Sequence, residues 1–369
     1  MSDFCPSLHL ITSYRPYPSC VFLKLEAGTA QTTGEPLPLT LTLECNEQEK
    51  ALLNGHLKFG IKGGKLTLKV ENGEIIAPQS LLNDFCQLVS TSNTVATWQL
   101  IPQTGQSIFT VEMVAFLAKI QVTSHPIALT LSCDVSLADI SITDVVGLWK
   151  HDIHPNKQSI LERKLAQFLW KLRLSPHLSL LKFTSDLAAY ERLEESSTTT
   201  IDPKALSQLH QQIDRIYNAE TNNLLELAQI AELNPLQDLG GGNFLATELS
   251  GIELSGANLT QSNFRGANLT DADLSEAVLN YARFSGADLS GAYLGNANLQ
   301  QGDFYRASLA LANLIGANLT DTNLQDVNLS QTNLSGAVVK GAKFGNNTGM
   351  TAELAASLRE RGAIFVGDS

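Results

Sequence analysis

Charge is scarce in this chain. Asp, Glu, Lys and Arg supply 17% of its 369 residues, so uncharged polar groups must cover most of the surface. The charge present leans acidic, with a formal net of −12, which makes duplex DNA or an anionic membrane a poor partner for the chain as a whole. No run of eighteen apolar residues occurs, and no basic stretch leads into an apolar one near residue 1. Neither a transmembrane helix nor a signal peptide is expected, and the location expected is cytoplasmic. Cysteine is sparse and odd in number: Cys5, Cys20, Cys45, Cys86 and Cys133, with no CxxC spacing. That argues against a disulfide framework or a thiolate zinc site and for inert thiols in a reducing compartment.

Reactive constellations are equally thin. No GxSxG occurs, and Gly240-Gly241-Gly242 lacks the context of a phosphate-binding loop, so it reads as a linker. His151 and His154 stand three apart, a spacing that holds a metal on a helix, but no third ligand accompanies them and Pro155 argues against a helix there. The expectation is no catalytic residue, no metal and no cofactor; the chain is read as a non-enzyme.

Four regions are legible. Residues 1–148 alternate apolar and polar residues in VFLKLE (21–26), LPLTLTLE (37–44), LKFGIK (57–62), KLTLKVE (65–71), TVATWQLI (94–101) and IALTLSCDV (127–135), the period of half-buried strands. A β-sandwich or barrel-like domain is expected, with Lys62-Gly63-Gly64-Lys65 as a hairpin turn. Residues 149–239 read as a helical connector. SILERKLAQFLWKLR (159–173) carries an apolar stripe, EESSTTT (194–200) is a polar linker, and one helix is expected from Pro203 to about Leu233, stopped by Asn234-Pro235. Over 150–182 seven basic and two acidic residues give +5; over 183–239 three basic and ten acidic give −7. A basic helix at 157–173 could lie on a membrane, but packing on the β-rich domain beside an acidic neighbour is the preferred reading.

Residues 240–345 repeat with period five. Twenty-one units are centred on residues 244 to 344, fifteen on Leu, five on Phe and one on Val339, and Ala stands two places earlier in thirteen of them. Neither the helical period of 3.6 nor the strand period of 2.0 gives five, but a short strand followed by a corner does. The phenylalanines count the corners. Phe244, Phe264, Phe284, Phe304 and Phe344 share one twenty-residue register, interrupted only by Leu324. Twenty residues at five per side make a four-sided coil with a packed interior, and the Phe column is its structural core. Truncating one of these rings to Ala should cost about 3–5 kcal/mol.

The A-(D/N)-L-x-x units resemble those of the pentapeptide-repeat protein family, and the resemblance covers residues 240–345. It implies a right-handed quadrilateral β-helix, here with five coils and a length on the order of 25 Å. GMTAELAASLRERGAIF resembles the tail of many cyanobacterial members of the family, which implies a C-terminal helical cap over 346–369, with Thr351 as N-cap and Gly362 ending the helix. The other raw end of the solenoid is expected to meet the 203–233 helix.

Outward residues twenty apart stack in columns. The Phe side gathers Arg265, Tyr281, Arg283, Tyr305 and Arg306, residue types that anchor interfaces. Tyr293, Leu311 and Ile315 form a second, apolar patch where the repeat otherwise favours polar residues. The reading is a scaffold or regulatory protein that binds another protein through a rigid repeat, without direct nucleic-acid binding. The resemblance supplies an alternative, since some members mimic duplex DNA and bind type II topoisomerases; here nine acidic and five basic residues give only −4 over 240–345. A ligand-binding or enzymatic site in 1–148, with the repeat as targeting module, is the other.

Overall fold

The computed structural model describes residues 8–17, 19–28, 35–102, 106–150, 152–174, 177–186, 194–195 and 201–367. Cys5, His151 and residues 196–200 of the expected linker lie outside them. The chain forms two compact units: residues 1–148 with 168–206, and residues 149–167 with 207–369.

Among the described residues the first unit has fifteen strands: β1 (His9–Tyr14), β2 (Val21–Ala27), β3 (Leu37–Cys45), β4 (Gln48–Leu52), β5 (Gly55–Ile61), β6 (Gly64–Glu71), β7 (Gly73–Ile76), β8 (Leu81–Asn83), β9 (Cys86–Thr91), β10 (Val95–Leu100), β11 (Val111–Val122), β12 (Ala128–Asp134), β13 (Ile140–Val146), β14 (Ser179–Thr184) and β15 (Glu194–Glu195). They form three sheets, ordered β15-β1-β14-β12-β6-β10-β9-β8, β2-β3-β11-β7 and β13-β5-β4. Alternation along β3, β6 and β10 buries one face of each, including Leu39, Leu41, Leu66, Leu68 and the fully buried Trp98. The Trp98 indole N–H donates to the Gln79 carbonyl, so this large side chain leaves no buried donor unpaired.

Two expectations fail here. Lys62–Lys65 is not a hairpin: β5 pairs with β4 and β13, and β6 with β10 and β12, so the turn carries the chain from one sheet to another. The region read as a helical connector contains a strand: β14 inserts between β1 and β12. Local pattern identifies a strand but not its partner, and partner choice is what separates a hairpin from a crossing between sheets.

The second unit begins with helix α1 (Pro155–Leu169), whose last two residues are counted with the first unit. Pro155 does not prevent it. At the first helical position the missing N–H costs nothing, and the His154 carbonyl and Nδ1 accept from the Gln158 and Asn156 N–H groups. The single helix expected from Pro203 is two, α2 (Pro203–Tyr217) and α3 (Leu224–Ile230). The break comes where Asn223 turns and caps, its side chain accepting from the N–H groups of Leu225 and Glu226. The second helix then stops at Ile230, ahead of Asn234-Pro235, with Glu232 in the left-handed region at φ +55°.

From residue 243 on, parallel bridges join each residue before a unit centre to the residue twenty further along: Asn243 to Asn263, Glu248 to Asn268, Glu253 to Asp273, Asn258 to Val278. Four bridges therefore recur per twenty-residue turn. The coil ends in β16 (Asn323–Gln325) and β17 (Lys343–Gly345). Helix α4 (Ala352–Glu360) follows, with the Thr351 side chain accepting from the Leu354 N–H. Strand β18 (Ile364–Phe365) then pairs in parallel with β17 and lays Phe365 on Phe344, ring centres 5.5 Å apart.

Candidate functional site

The repeat surface is explained by what each position in the unit must do. The second residue after every centre has positive φ, from Ala246 to Asn346, so every corner turns through the left-handed region. The Asn or Asp before the centre does two jobs. Its side-chain oxygen accepts the N–H two residues on, as Asp273 does from Ser275 and Asn318 from Thr320, which closes the corner. Where two amides stack, the upper donates to the lower, as Asn263 does to Asn243 and Asn318 to Asn298. The interior is apolar and filled. Phe244, Phe264, Phe284 and Phe304 stack with ring centres 5.0, 5.1 and 4.6 Å apart, and Phe344 is buried as completely. The column two residues before these rings runs Gly242, Ser262, Ala282, Gly302, Thr322, Ala342; a side chain at Gly242 would run into the Phe244 ring. Buried hydroxyls in this column reach back to the preceding coil, Ser262 to the Leu239 carbonyl and Thr322 to that of Leu299.

The outward positions hold the remaining side chains of the repeat. On the Phe side, bridges place Asn263, Arg283, Asp303 and Asn323 in one row. Tyr281 stands at the corner just before Arg283, and Tyr305 and Arg306 follow Asp303 one coil on. The Arg306 guanidinium lies 4.9 Å from the Tyr305 ring centre and 3.9 Å from the Asp326 carboxylate. Half-burial lowers the Arg283 pKa, with Arg265 adding to the effect and Asp303 opposing it. Burial, then Asp321, raises that of Tyr281. The second row is apolar: Tyr293, Leu311 and Ile315 are 53%, 62% and 44% exposed, and Leu311 and Ile315 flank Asn313, which bridges to Tyr293.

Helix α1, which begins the basic stretch read at 157–173, is largely buried. Among the residues of α1 only Pro155 and Gln158 are exposed, so it presents no apolar face to a membrane. Its polar residues instead close the first coil, whose outer carbonyls have no preceding coil to accept from. Ser159 donates to the Asn243 carbonyl at 2.5 Å, Asn156 to that of Glu248 at 3.3 Å, and Arg163 to that of Asp238 at 3.1 Å. Lys157 donates to the carbonyls of Tyr217 and Ala219. Burial pushes the Arg163 guanidinium down to about 10 while Asp238 pulls it up. Sequence reading followed the apolar stripe of this helix and missed the polar one. Asn156, Ser159, Arg163 and Gln167, spaced three and four apart, were its signal.

In the first unit the described cysteines, Cys20, Cys45, Cys86 and Cys133, are buried and free. His177 contacts Asp134, and Ser132 donates to the same carboxylate at 3.2 Å. This hydroxyl faces the acid and not the imidazole, so the trio lacks the nucleophile–base contact that covalent catalysis needs. Among the described residues no three His, Cys, Asp or Glu side chains gather as metal ligands, and no helix is long and apolar enough to cross a membrane.

The coil and its corners agree with the comparisons. The family of pentapeptide repeats matches in eight copies, over residues 252–291, 287–326 and 312–346. This part of the chain belongs to the pentapeptide-repeat family. Solved pentapeptide-repeat proteins are similar to it. One from the cyanobacterium Cyanothece 51142 is 30% identical, covering 27% of this chain and 89% of that one, with a TM-score of 0.19. One from the Arabidopsis thaliana thylakoid lumen is 29% identical, covering 33% and 81%, at 0.23. HetL of Nostoc sp. strain PCC 7120 is 31% identical, covering 28% and 55%, at 0.20. Membership rests on the repeat copies. No curated protein matches the chain. The family match does not reach residues 1–251.

Proposed function

We propose that this pentapeptide-repeat protein is a non-enzymatic interaction scaffold of a reducing, cytoplasmic compartment, and that it docks another protein on its repeat. The observation that carries the reading is the contrast on the repeat surface. Small polar residues dominate it, yet Tyr293, Leu311 and Ile315 stand exposed together, and Arg265, Tyr281, Arg283, Tyr305 and Arg306 share the Phe side. Exposed aromatic, Arg and aliphatic groups on a pre-ordered surface bind at low entropic cost. The coil is read as right-handed and four-sided, which the four bridges per turn support, and the first unit as a layered sandwich, which the one-sided burial of its strands supports.

A crosslinking pull-down from the native host tests the reading, with two variants beside the natural chain. Tyr293→Ser combined with Leu311→Ser should leave the coil folded and lose the partner, and Arg283→Glu combined with Tyr305→Ala tests the Phe side. Retention of every partner by both variants sinks the proposal. A DNA mimic directed at a type II topoisomerase fits less well, because Arg and Lys interrupt the acidic columns; supercoiling by gyrase unchanged in an excess of the protein would dispose of it.

A further inference from the structure

Charge is segregated on the repeat. Two of its bridge rows start at Glu248 and Glu253 and run to Asn328 and Asn333. Taken with the corners that follow them, these rows carry six charged residues, Glu248, Glu253, Asp271, Asp273, Glu276 and Asp288, all acidic. The five basic residues of 240–345 stand on the other two rows and their corners. Asp273 is half-buried and the other five carboxylates are exposed. Among the described residues none of the six pairs with a cation. The fold does not require this charge. Asn268 closes its corner by accepting from the Thr270 N–H just as Asp273 does from Ser275. Glu276 stands at φ +59°, where a glycine would be unstrained. The carboxylates border the exposed apolar residues. Asp273 bridges to Tyr293, and Tyr293 to Asn313, which Leu311 and Ile315 flank. Gly291 and Gly295 stand on either side of Tyr293 in its own coil, so its exposed ring is open on both sides. One coil beyond Leu311 and Ile315, Gln331, Asn333 and Ser335 carry no charge.

We propose that this surface docks a basic amphipathic helix of another protein. Its apolar residues lie against Tyr293, Leu311 and Ile315, and its Lys or Arg residues against the carboxylates of the preceding coils. This rests on the apolar docking patch proposed above and adds the partner's chemistry and direction. An acidic partner would meet like charge along the whole border of the patch, and an uncharged one would draw carboxylates from water without pairing them. A helical turn advances about 5.4 Å and a coil about 4.8 Å, so a helix lying along the solenoid meets one coil per turn. Its apolar turns then face the coils of Tyr293 and Asn313, and its basic turns those of Asp273 and Glu253. The reversed helix would set its cations over the uncharged coil of Gln331 and Asn333, so one direction is favoured.

The test is titration of the full chain, by fluorescence anisotropy, with a labelled synthetic peptide. The peptide has Leu at helical spacing in its first half and Lys at the same spacing in its second. Two control peptides carry Ser for every Leu or Glu for every Lys. The parent peptide should bind, and each control about tenfold more weakly or worse. Asp273→Asn combined with Asp288→Asn removes two charges, and the amide oxygens still close both corners; it should weaken binding about tenfold. Asp303→Asn combined with Asp321→Asn removes two charges from the other rows and should leave binding unchanged. Tyr293→Ser combined with Leu311→Ser should abolish it, while circular dichroism shows all three variants folded. A nitroxide at the lysine end should broaden the amide resonances around Asp273 and spare those around Asn333. No binding of the parent peptide, the same affinity in the two charge variants, binding that survives loss of Tyr293 and Leu311, or the opposite broadening overturns the proposal. The scaffold reading fails separately. A pull-down partner lost with Tyr293 and Leu311 but retained by Asp273→Asn with Asp288→Asn leaves that reading standing and sinks this one alone.

Discussion

The residue with most leverage on this solenoid is the one at each corner. Only glycine enters the left-handed region without cost, so corners that carry other residues hold a small strain. Leu311, at φ +62° and largely exposed, has strain without burial in return. Leu311→Gly should raise stability by about 1 kcal/mol, read from the urea midpoint. Gly291→Ala should lower it by about 2 kcal/mol, because φ is +74° and the new methyl would meet the Asp271 carboxylate. Equal effects of the two would refute the strain account. The buried thiols give a pH prediction. Burial pushes Cys20, Cys45 and Cys86 from the ordinary value of 9.0 up to about 12, so the folded chain keeps protons that the unfolded chain releases near 9. Their contribution to stability is complete below pH 9 and is lost as pH rises through 12. At pH 8 a thiol reagent should leave these three unmodified until the first unit unfolds; rapid labelling of the native chain would contradict this.

At the scale of elements, α1 decides how the coil begins. A coil end is a row of unpaired carbonyls and N–H groups, a template for association unless covered. Ser159, Asn156 and Arg163 supply donors from one helical face, and Arg163, 2% exposed, is held by the Asp238 carbonyl and charge. Arg163→Ala should cost about 3 kcal/mol, since it empties the space of a buried side chain and takes the donor from the Asp238 carbonyl, and should open residues near 240–250 to limited proteolysis. A variant as stable and as resistant as the natural chain would show that the cap is made elsewhere. The strand pattern and the five-residue period were legible because each is local and repeated. The polar face of α1 was not: Asn, Ser and Arg at helical spacing look like a solvated face until the carbonyls they meet are in place. β14 was hidden for a similar reason, a six-residue strand that comes soon after helix α1.

For the molecule as a whole, the far end of the solenoid shows what happens if covering is removed. β18 adds to β17, Phe365 stacks on Phe344, and the Arg359 guanidinium lies 4.1 Å from the Phe365 ring centre. A chain ending at residue 345 would expose Phe344 and a free strand edge, and should elute as dimers or larger species in size-exclusion chromatography with light scattering. An unchanged elution state would mean that the cap serves another purpose. The sequence by itself determined the period, the twenty-residue register and the filled interior, because a repeat states the same short-range rule twenty-one times and the phenylalanine column marks the turn. It also placed the Arg, Tyr and aliphatic residues on their columns. Only the tertiary structure decided which helix closes the first coil and which strands pair across the β-rich unit. Those outcomes depend on meetings between segments far apart in the chain. No local pattern encodes them, since the partner, and not the residue alone, determines whether a polar group is solvated, paired or left open.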